Sequence, residues 1–237
     1  MEAMADNKPT DEPAGAASSP TAGWEERSVQ RVLEKGREQI LERSRRIVEA
    51  AYELLEEGLE ELTIRAVLAK TGLSRRAFYE RFSGKDDLVL AVFEHTIRLA
   101  ERHYREQVSA LTDPMERLQL IVTWLVLGRE ASGITRQEQS DRRGAAMSRE
   151  HLRLAEARPD ELQVALRPLI SLIAEQLSDG MEAGVVRRGD PQRLAYLVYN
   201  LVSTTVHAEL LAPRSARADR QQLAGEIWEF CRRAVAA

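Results

Sequence analysis

A chain of 237 residues with 43% apolar content is long enough to bury a sizeable core, and 5% aromatics with 13 glycines favour helices over a β-sandwich. A net charge of −4 argues against a protein that coats nucleic acid generally, so affinity for a polyanion has to come from a small patch. The single cysteine, Cys231, excludes an internal disulfide framework and a cysteine zinc cluster. The start lacks a basic stretch followed by an apolar run, and the longest apolar segment, Leu120 to Gly128, is far short of a bilayer span, so no membrane partner and a cytoplasmic location are expected.

Residues 1–23 are rich in Ala, Pro, Ser, Asp and Glu with almost nothing to bury, and are expected to be a disordered tail. From Trp24 to Gly36 a weak helical pattern (Val29, Val32, Leu33) precedes a firm helix, in which Ile40, Ile47 and Leu54 recur every seven residues beside Leu41, Val48 and Leu55. Gly58 stops it. Arg37, Arg43 and Arg45 form either a solvated charged face or an arm for a DNA minor groove.

Thr63 can cap the next helix, to which Ile64, Val67 and Leu68 give an apolar face. Gly72 can take the left-handed conformation that closes a helix, Leu73 can pack into the corner, and Ser74 can cap the helix after it. Two short helices across a turn of about three residues have the spacing of a helix-turn-helix. The second, Ser74 to about Phe82, opens with Arg75 and Arg76, where the helix dipole favours Asp or Glu by a few tenths of a kcal/mol, so helix stability does not explain them. In a helix-turn-helix that end enters the major groove, where an arginine fork bonds guanine O6 and N7 or a phosphate. Phe78 and Phe82 are expected to face the core, and Tyr79 to turn its hydroxyl outward. Ser83 and Asp86 stand at capping-box spacing for a third helix, with Lys85 near its start. From Thr63 to Lys85 six cations (Arg65, Lys70, Arg75, Arg76, Arg81, Lys85) oppose one acid, Glu80, for a local charge of about +5.

The pattern then predicts a helix from Asp86 to about Leu111 (Leu88, Val92, Leu99, His103 on one stripe) and another from Asp113-Pro114 (Leu118, Ile121, Val122, Leu125, with Trp124 beside them). Gly128 to Gly144 reads as a loop with a frayed helix edge, followed by a helix near Ala145 to Ala157. A long helix opens at Pro159-Asp160, carries Leu162, Leu166, Leu169, Ile170, Ile173 and Leu177, and ends at Gly180 or Gly184. Pro191 to Leu211 and Arg220 to Val235 close the chain with apolar stripes wide for terminal helices. Polar or aromatic residues interrupt the apolar stripes at Thr96, His103 and Trp124, and at Tyr199, Asn200 and His207. They are candidates for lining a small-molecule pocket, or else satisfied core groups.

In the run RRIVEAAYELLEEGLEELTIRAVLAKTGLSRRAFYERFSGKDDLVLAVFE, Arg45 to Glu94, the sequence resembles the TetR/AcrR family of one-component bacterial regulators. The shared features are the apolar-Ala pattern of the first helix, the glycine before Thr63, the Gly72-Leu73-Ser74 turn, the aromatic trio, and Lys85 followed by Leu88. Leu68 and Thr71 stand where alanine is usual, and Arg76 where glycine is common. The resemblance implies an all-α fold: an N-terminal three-helix helix-turn-helix DNA-binding domain (24–85) and a larger helical ligand-binding and dimerisation domain (86–237).

By the same resemblance Thr63, Tyr79 and Lys85 contact phosphates, and Ser74, Arg75 and Arg76 face the groove. The last two helices form a four-helix dimer interface, for which Leu194, Leu197, Val198, Leu201, Leu223, Ile227 and Phe230 are candidates; the alternative is that these stripes seal the subunit's own core. The implied partners are a double-stranded DNA operator, a second copy of the chain as a homodimer, and an unknown small-molecule effector. No cofactor and no metal are expected. Two other classes remain at this point: a helical interaction module whose basic corner grips an acidic protein, and an enzyme. The latter has no GxSxG, GxGxxG, Walker or HExxH motif to support it, and His95, His103, His151 and His207 lack zinc-ligand spacing.

Overall fold

The computed structural model describes residues 23–57, 62–128, 137–212 and 219–237, the side chains of 56–57 and 137–143 excepted. Among the described residues the fold is all-α. Its helices are α1 (Gly23–Glu57), α2 (Ile64–Thr71), α3 (Arg75–Tyr79), α4 (Lys85–Val108), α5 (Pro114–Leu127), α6 (Gln137–Ala157), α7 (Pro159–Glu182), α8 (Pro191–Leu211) and α9 (Arg220–Val235). The expected tail, the Gly58 stop and part of the Gly128 to Gly144 loop lie outside the described residues. No described helix is long and apolar enough to cross a membrane.

The chain divides into two compact units, one up to Arg43 and one from Ser44 onward. In the first, the weak helical pattern up to Gly36 and the firm helix after it are one continuous helix, which runs through Gly36. One interior glycine weakens a helix by only about 1 kcal/mol, and Leu33, Glu34, Lys35, Arg37 and Glu38 around it all favour the helical state. Trp24, Val29, Val32, Leu33, Ile40 and Leu41 are exposed. The seven-residue recurrence therefore marks two environments: Ile47 and Leu54 are buried, and Ile40 is not.

In the second unit one continuous cluster of buried side chains joins Ile47, Val67 and Phe78 to Leu88, Ile121, Leu154, Ile173, Val202 and Val235. The central helix α7 packs against α4, α5, α6 and α8, and α9 packs mainly on α5. The long apolar run predicted for α7 is the reason, since a helix touched on several sides needs a wide stripe. Helix α6 begins at Gln137, earlier than the predicted Ala145. Its polar first turns hide the helical period, which shows only where Ala146, Ser148, Glu150 and Leu154 are buried.

Helix α7 ends before Gly184, whose φ of 71° supplies the left-handed turn. Val185 and Val186 then donate their N–H groups to the Gly180 carbonyl at 2.9 and 3.0 Å. The chain terminus is sewn to this turn: Arg187 N–H donates to the Val235 carbonyl at 2.9 Å and Ala237 N–H to the Val185 carbonyl at 3.2 Å. The seat of α9 thus depends on how closely Val186 approaches α7.

The predicted capping box at Ser83 and Asp86 does not form. Gly84 is the N-cap of α4 without a side-chain bond, and the Asp87 carboxylate, one residue later than expected, accepts from Ser83 N–H at 3.0 Å. Asp86 is thereby free to pair with Arg153 of α6 at 3.1 Å, and Asp87 also meets Arg158, which precedes α7, at 3.6 Å. These two pairs clasp the start of α4 to the α6–α7 corner.

Candidate nucleic-acid interface

Local chemistry builds the turn as the sequence requires. Thr63 Oγ1 accepts from Ala66 N–H at 3.1 Å to start α2, and Gly72 ends it at φ 68° with its N–H on the Leu68 carbonyl. Thr71 uses the hydroxyl that alanine would lack, donating to the Val67 carbonyl at 2.8 Å, while Arg46 holds the Thr71 carbonyl at 3.0 Å. Ser74 then caps α3 by accepting from Ala77 N–H at 3.1 Å. Loss of such a cap costs about 1 kcal/mol, a large share for a helix of this length.

Helix α3 is shorter than predicted and ends at Tyr79, because Arg81 and Phe82 both donate N–H to the Phe78 carbonyl and tighten the last turn. Phe78 is fully buried and Phe82 nearly so, with ring centroids 5.5 Å apart, and they fix the roll of the helix. That roll leaves Ser74, Arg75, Arg76 and Tyr79 exposed, and Thr63 and Lys85 are exposed on the flanking segments. All six expected DNA contacts are open to solvent.

The six cations of this segment are not equivalent. Arg75 and Lys85 have no ion-pair partner among the described residues, whereas Lys70 pairs with Glu53 at 2.9 Å and Arg76 with Glu80 at 3.0 Å. The Arg81 side chain is only 7% exposed. Its Nη1 donates to the Ala77 carbonyl, the acceptor that the tightened turn leaves without a backbone partner, and lies 3.4 Å from Glu80. Its Nε is buried with no hydrogen-bond partner among the described residues. Arg81 is therefore a structural clamp and does not belong to the exposed basic patch. The Arg76 hydrogen bond is the main cause that holds the Glu80 carboxyl below its usual range; desolvation opposes it, and the Arg76 charge and the Arg81 hydrogen bond and charge add to the lowering.

The pocket candidates fall into separate places. His103 of α4 stacks on Trp124 of α5 at 4.4 Å, and buried Tyr104 meets the same indole edge-on at 5.7 Å. Thr96 is half-buried, and its hydroxyl is spent on the Val92 carbonyl at 2.9 Å. Tyr199 and His207 of α8 meet His151 of α6, with centroids 6.3 and 4.8 Å away, and Phe93 of α4 closes on the same imidazole at 5.4 Å. Burial, aided by His207, pushes His151 down to about 4, burial also lowers His207, and burial pushes Tyr199 up to about 12. At neutral pH this cluster carries no charge. Asn200 does not join it: one residue beyond Tyr199 the helix has turned by about 100°, and Asn200 is exposed. His151, the hub of the cluster, was not among the candidates, since its partners lie on helices distant in sequence.

The dimer candidates also divide. Leu223 and Ile227 are buried within the single chain. Leu194 and Val198 are buried too, but they floor a groove of about 260 Å³ between α8 and α9 that Leu197, Leu201 and Phe230 rim. Leu197 is 57% and Phe230 63% exposed, more than apolar side chains of that size usually are in a core-facing stripe.

An exposed, capped helix held by two buried phenylalanines behind a glycine turn, at the head of a long helical bundle, defines a helix-turn-helix DNA-binding protein. Residues 47–92 match the sequence model of the family described as bacterial regulatory proteins, tetR family. Members of this family regulate transcription and are not enzymes.

Solved structures share the fold. FadR of Thermus thermophilus, a TetR-family repressor in complex with lauroyl-CoA, has a TM-score of 0.62 at 20% identity, covering 79% of this chain and 92% of its own. FadR of Bacillus subtilis in complex with stearoyl-CoA has a TM-score of 0.60 at 15% identity, with 78% and 96% covered. AibR in complex with isovaleryl coenzyme A and operator DNA has a TM-score of 0.53 at 19% identity, with 79% and 97% covered. No curated protein matches the chain.

Proposed function

We propose that the protein is a ligand-responsive repressor that binds a palindromic operator as a homodimer. The single observation that carries this is the Ser74-capped α3, which turns Arg75, Arg76 and Tyr79 to solvent while Phe78 is fully buried beneath them, in a chain whose net charge is −4. A protein of that charge gains DNA affinity only where cations concentrate. Residues 24–85 read DNA and residues 86–237 bind effector and partner. Arg75 and Arg76 contact bases from the groove-facing end with Ser74, and Thr63, Tyr79 and Lys85 contact phosphates.

One short helix reads few base pairs, so two copies set about one DNA turn or a multiple of it apart supply specificity. The exposed Leu197 and Phe230, together with the half-buried Leu201 beside the α8–α9 groove, are the surface that a second copy covers. For the effector, the uncharged cluster of His151, Tyr199 and His207 and the His103–Trp124 stack offer polar groups within an apolar bundle. The coenzyme A esters held by three proteins of the same fold support a small-molecule effector. An effector that binds better to one spacing of the two reading heads lowers DNA affinity by the factor by which DNA lowers effector affinity.

Selection of bound duplexes from random DNA tests the core of this, with an inverted repeat as the expected product. Arg75→Ala or Arg76→Ala should then cost about 1 to 3 kcal/mol and relax base preference, while Lys85→Ala should weaken all sequences alike and reduce the salt slope by about one. Equal losses for all three on every sequence would replace base reading by a purely electrostatic grip.

A further inference from the structure

We propose that Glu80 is a positioning residue for base recognition: it holds Arg76 by Nε, so that the two terminal nitrogens of that guanidinium point at a guanine as a preset fork. The inference rests on Arg76 contacting a base. Within one turn of helix α3 and its C-cap, three side chains are linked in series. The Arg81 guanidinium is almost wholly buried and tied to the Ala77 carbonyl, so it cannot swing. It lies 3.4 Å from Glu80 Oε2, and the other carboxylate oxygen, Oε1, accepts from Arg76 Nε at 3.0 Å.

Arg76 is 90% exposed, and its Nη1 and Nη2 make no hydrogen bond among the described residues. An isolated surface pair of this kind contributes little and samples many rotamers. Here the carboxylate is anchored from behind, which restricts the rotamers of the arginine in front of it. A guanine is read by two parallel N–H bonds to O6 and N7, for which Nη1 and Nη2 serve while Nε stays on the carboxylate. Preorganisation of a long side chain improves discrimination because less freedom is lost when the correct base is met. The arrangement also gives the lone acid of the basic segment a role, although a carboxylate this near to DNA is otherwise repelled by phosphate.

The experiment uses the full chain and inverted-repeat duplexes randomised across the half-site, with base preference read position by position. Arg76→Ala should erase a guanine preference at one position of each half-site. Glu80→Ala should weaken that same preference roughly tenfold and leave the other positions unchanged. Glu80→Gln, which retains a neutral acceptor for Nε, should restore part of it. In the Arg76→Ala background Glu80→Ala should change nothing further at that position. Thermal unfolding of each variant separates this from loss of fold. A uniform change at all positions on Glu80→Ala, or effects of the two substitutions that simply add, overturns the proposal while the base contact of Arg76 stands. An unchanged profile for Arg76→Ala removes the contact itself, and the role of Glu80 with it.

Discussion

Gly180 offers a sharp test of how the bundle is closed. It is buried within α7, and a Cβ built there lies 2.5 Å from Val186 Cγ2, 3.2 Å from Val186 Cβ and 3.7 Å from Pro114 Cβ. Replacing glycine by alanine in a helix interior normally stabilises by about 1 kcal/mol. Here the methyl group is forced against a side chain whose backbone is bonded on both sides, to the Gly180 carbonyl and through its neighbours to the chain terminus. Overpacking of that kind costs about 1 to 3 kcal/mol, so the expected net effect of Gly180→Ala is a loss of about 1 kcal/mol. For a chain of this size that is a fall in Tm of about 2 to 4 °C.

In a Val186→Ala background the nearest clash is gone, and the same substitution should be close to neutral. The coupling between the two sites is then about 1 kcal/mol or more, measurable by urea or thermal unfolding of the four proteins. Because Val186 also helps to seat α9, Gly180→Ala should weaken self-association as well. A variant more stable than the parent, or a loss of the same size with and without Val186, would refute the role given to this contact.

Charging the α8–α9 surface by Leu197→Glu or Phe230→Glu should give a monomer in sedimentation velocity with unaltered helicity, because both side chains are already largely exposed in the single chain. Operator affinity should fall steeply as the second reading head is lost, whereas Ile227→Ala, a core change, should lower Tm by the several degrees expected of a 2 to 5 kcal/mol cavity. His151 gives a pH dependence with a definite sign. Its folded pKa is depressed to about 4 from an ordinary 6.5, so the unfolded chain takes up the proton first as pH falls. The stability present above pH 6.5 should decline between there and about 4, by no more than about 1.4 kcal/mol per pH unit for this group, and His207 should add in the same direction. His151→Gln should flatten that part of the curve in urea titrations at stepped pH, and an unchanged slope would count against a neutral buried imidazole. Ser74→Ala should lower stability by about 1 kcal/mol and reduce operator binding by more than that, since the capped turn also aims Arg75.

Features decided by near neighbours were legible in the sequence. The caps at Thr63, Ser74 and Asp113, the left-handed Gly72, the burial of Phe78 and Phe82 and the exposure of Tyr79 each follow from residues within one or two turns. Features decided at a distance were not. Ile40 carries the same period as Ile47 yet stays in solvent, because periodicity states which face is apolar and not whether anything lies against it. Arg81 counted as one more cation of the patch, and only the tightening of the turn after Tyr79 shows that its guanidinium is turned inward. His151 became a hub through Phe93, Tyr199 and His207, contacts that no local pattern carries. Asn200 was placed with Tyr199 because adjacent letters suggest company, although a helix separates them by over a quarter of a turn.

Helix α4 runs through 24 residues without a break, about 36 Å of rod. Its first turn carries Lys85 and is bolted by Asp86 and Asp87 to Arg153 and Arg158, while its far half holds His103 against Trp124. Tilting such a rod by about 5° moves its end by about 3 Å, nearly the ~3.4 Å axial step from one phosphate to the next along a strand. Such a tilt displaces Lys85, at the end of the rod, by about one such step.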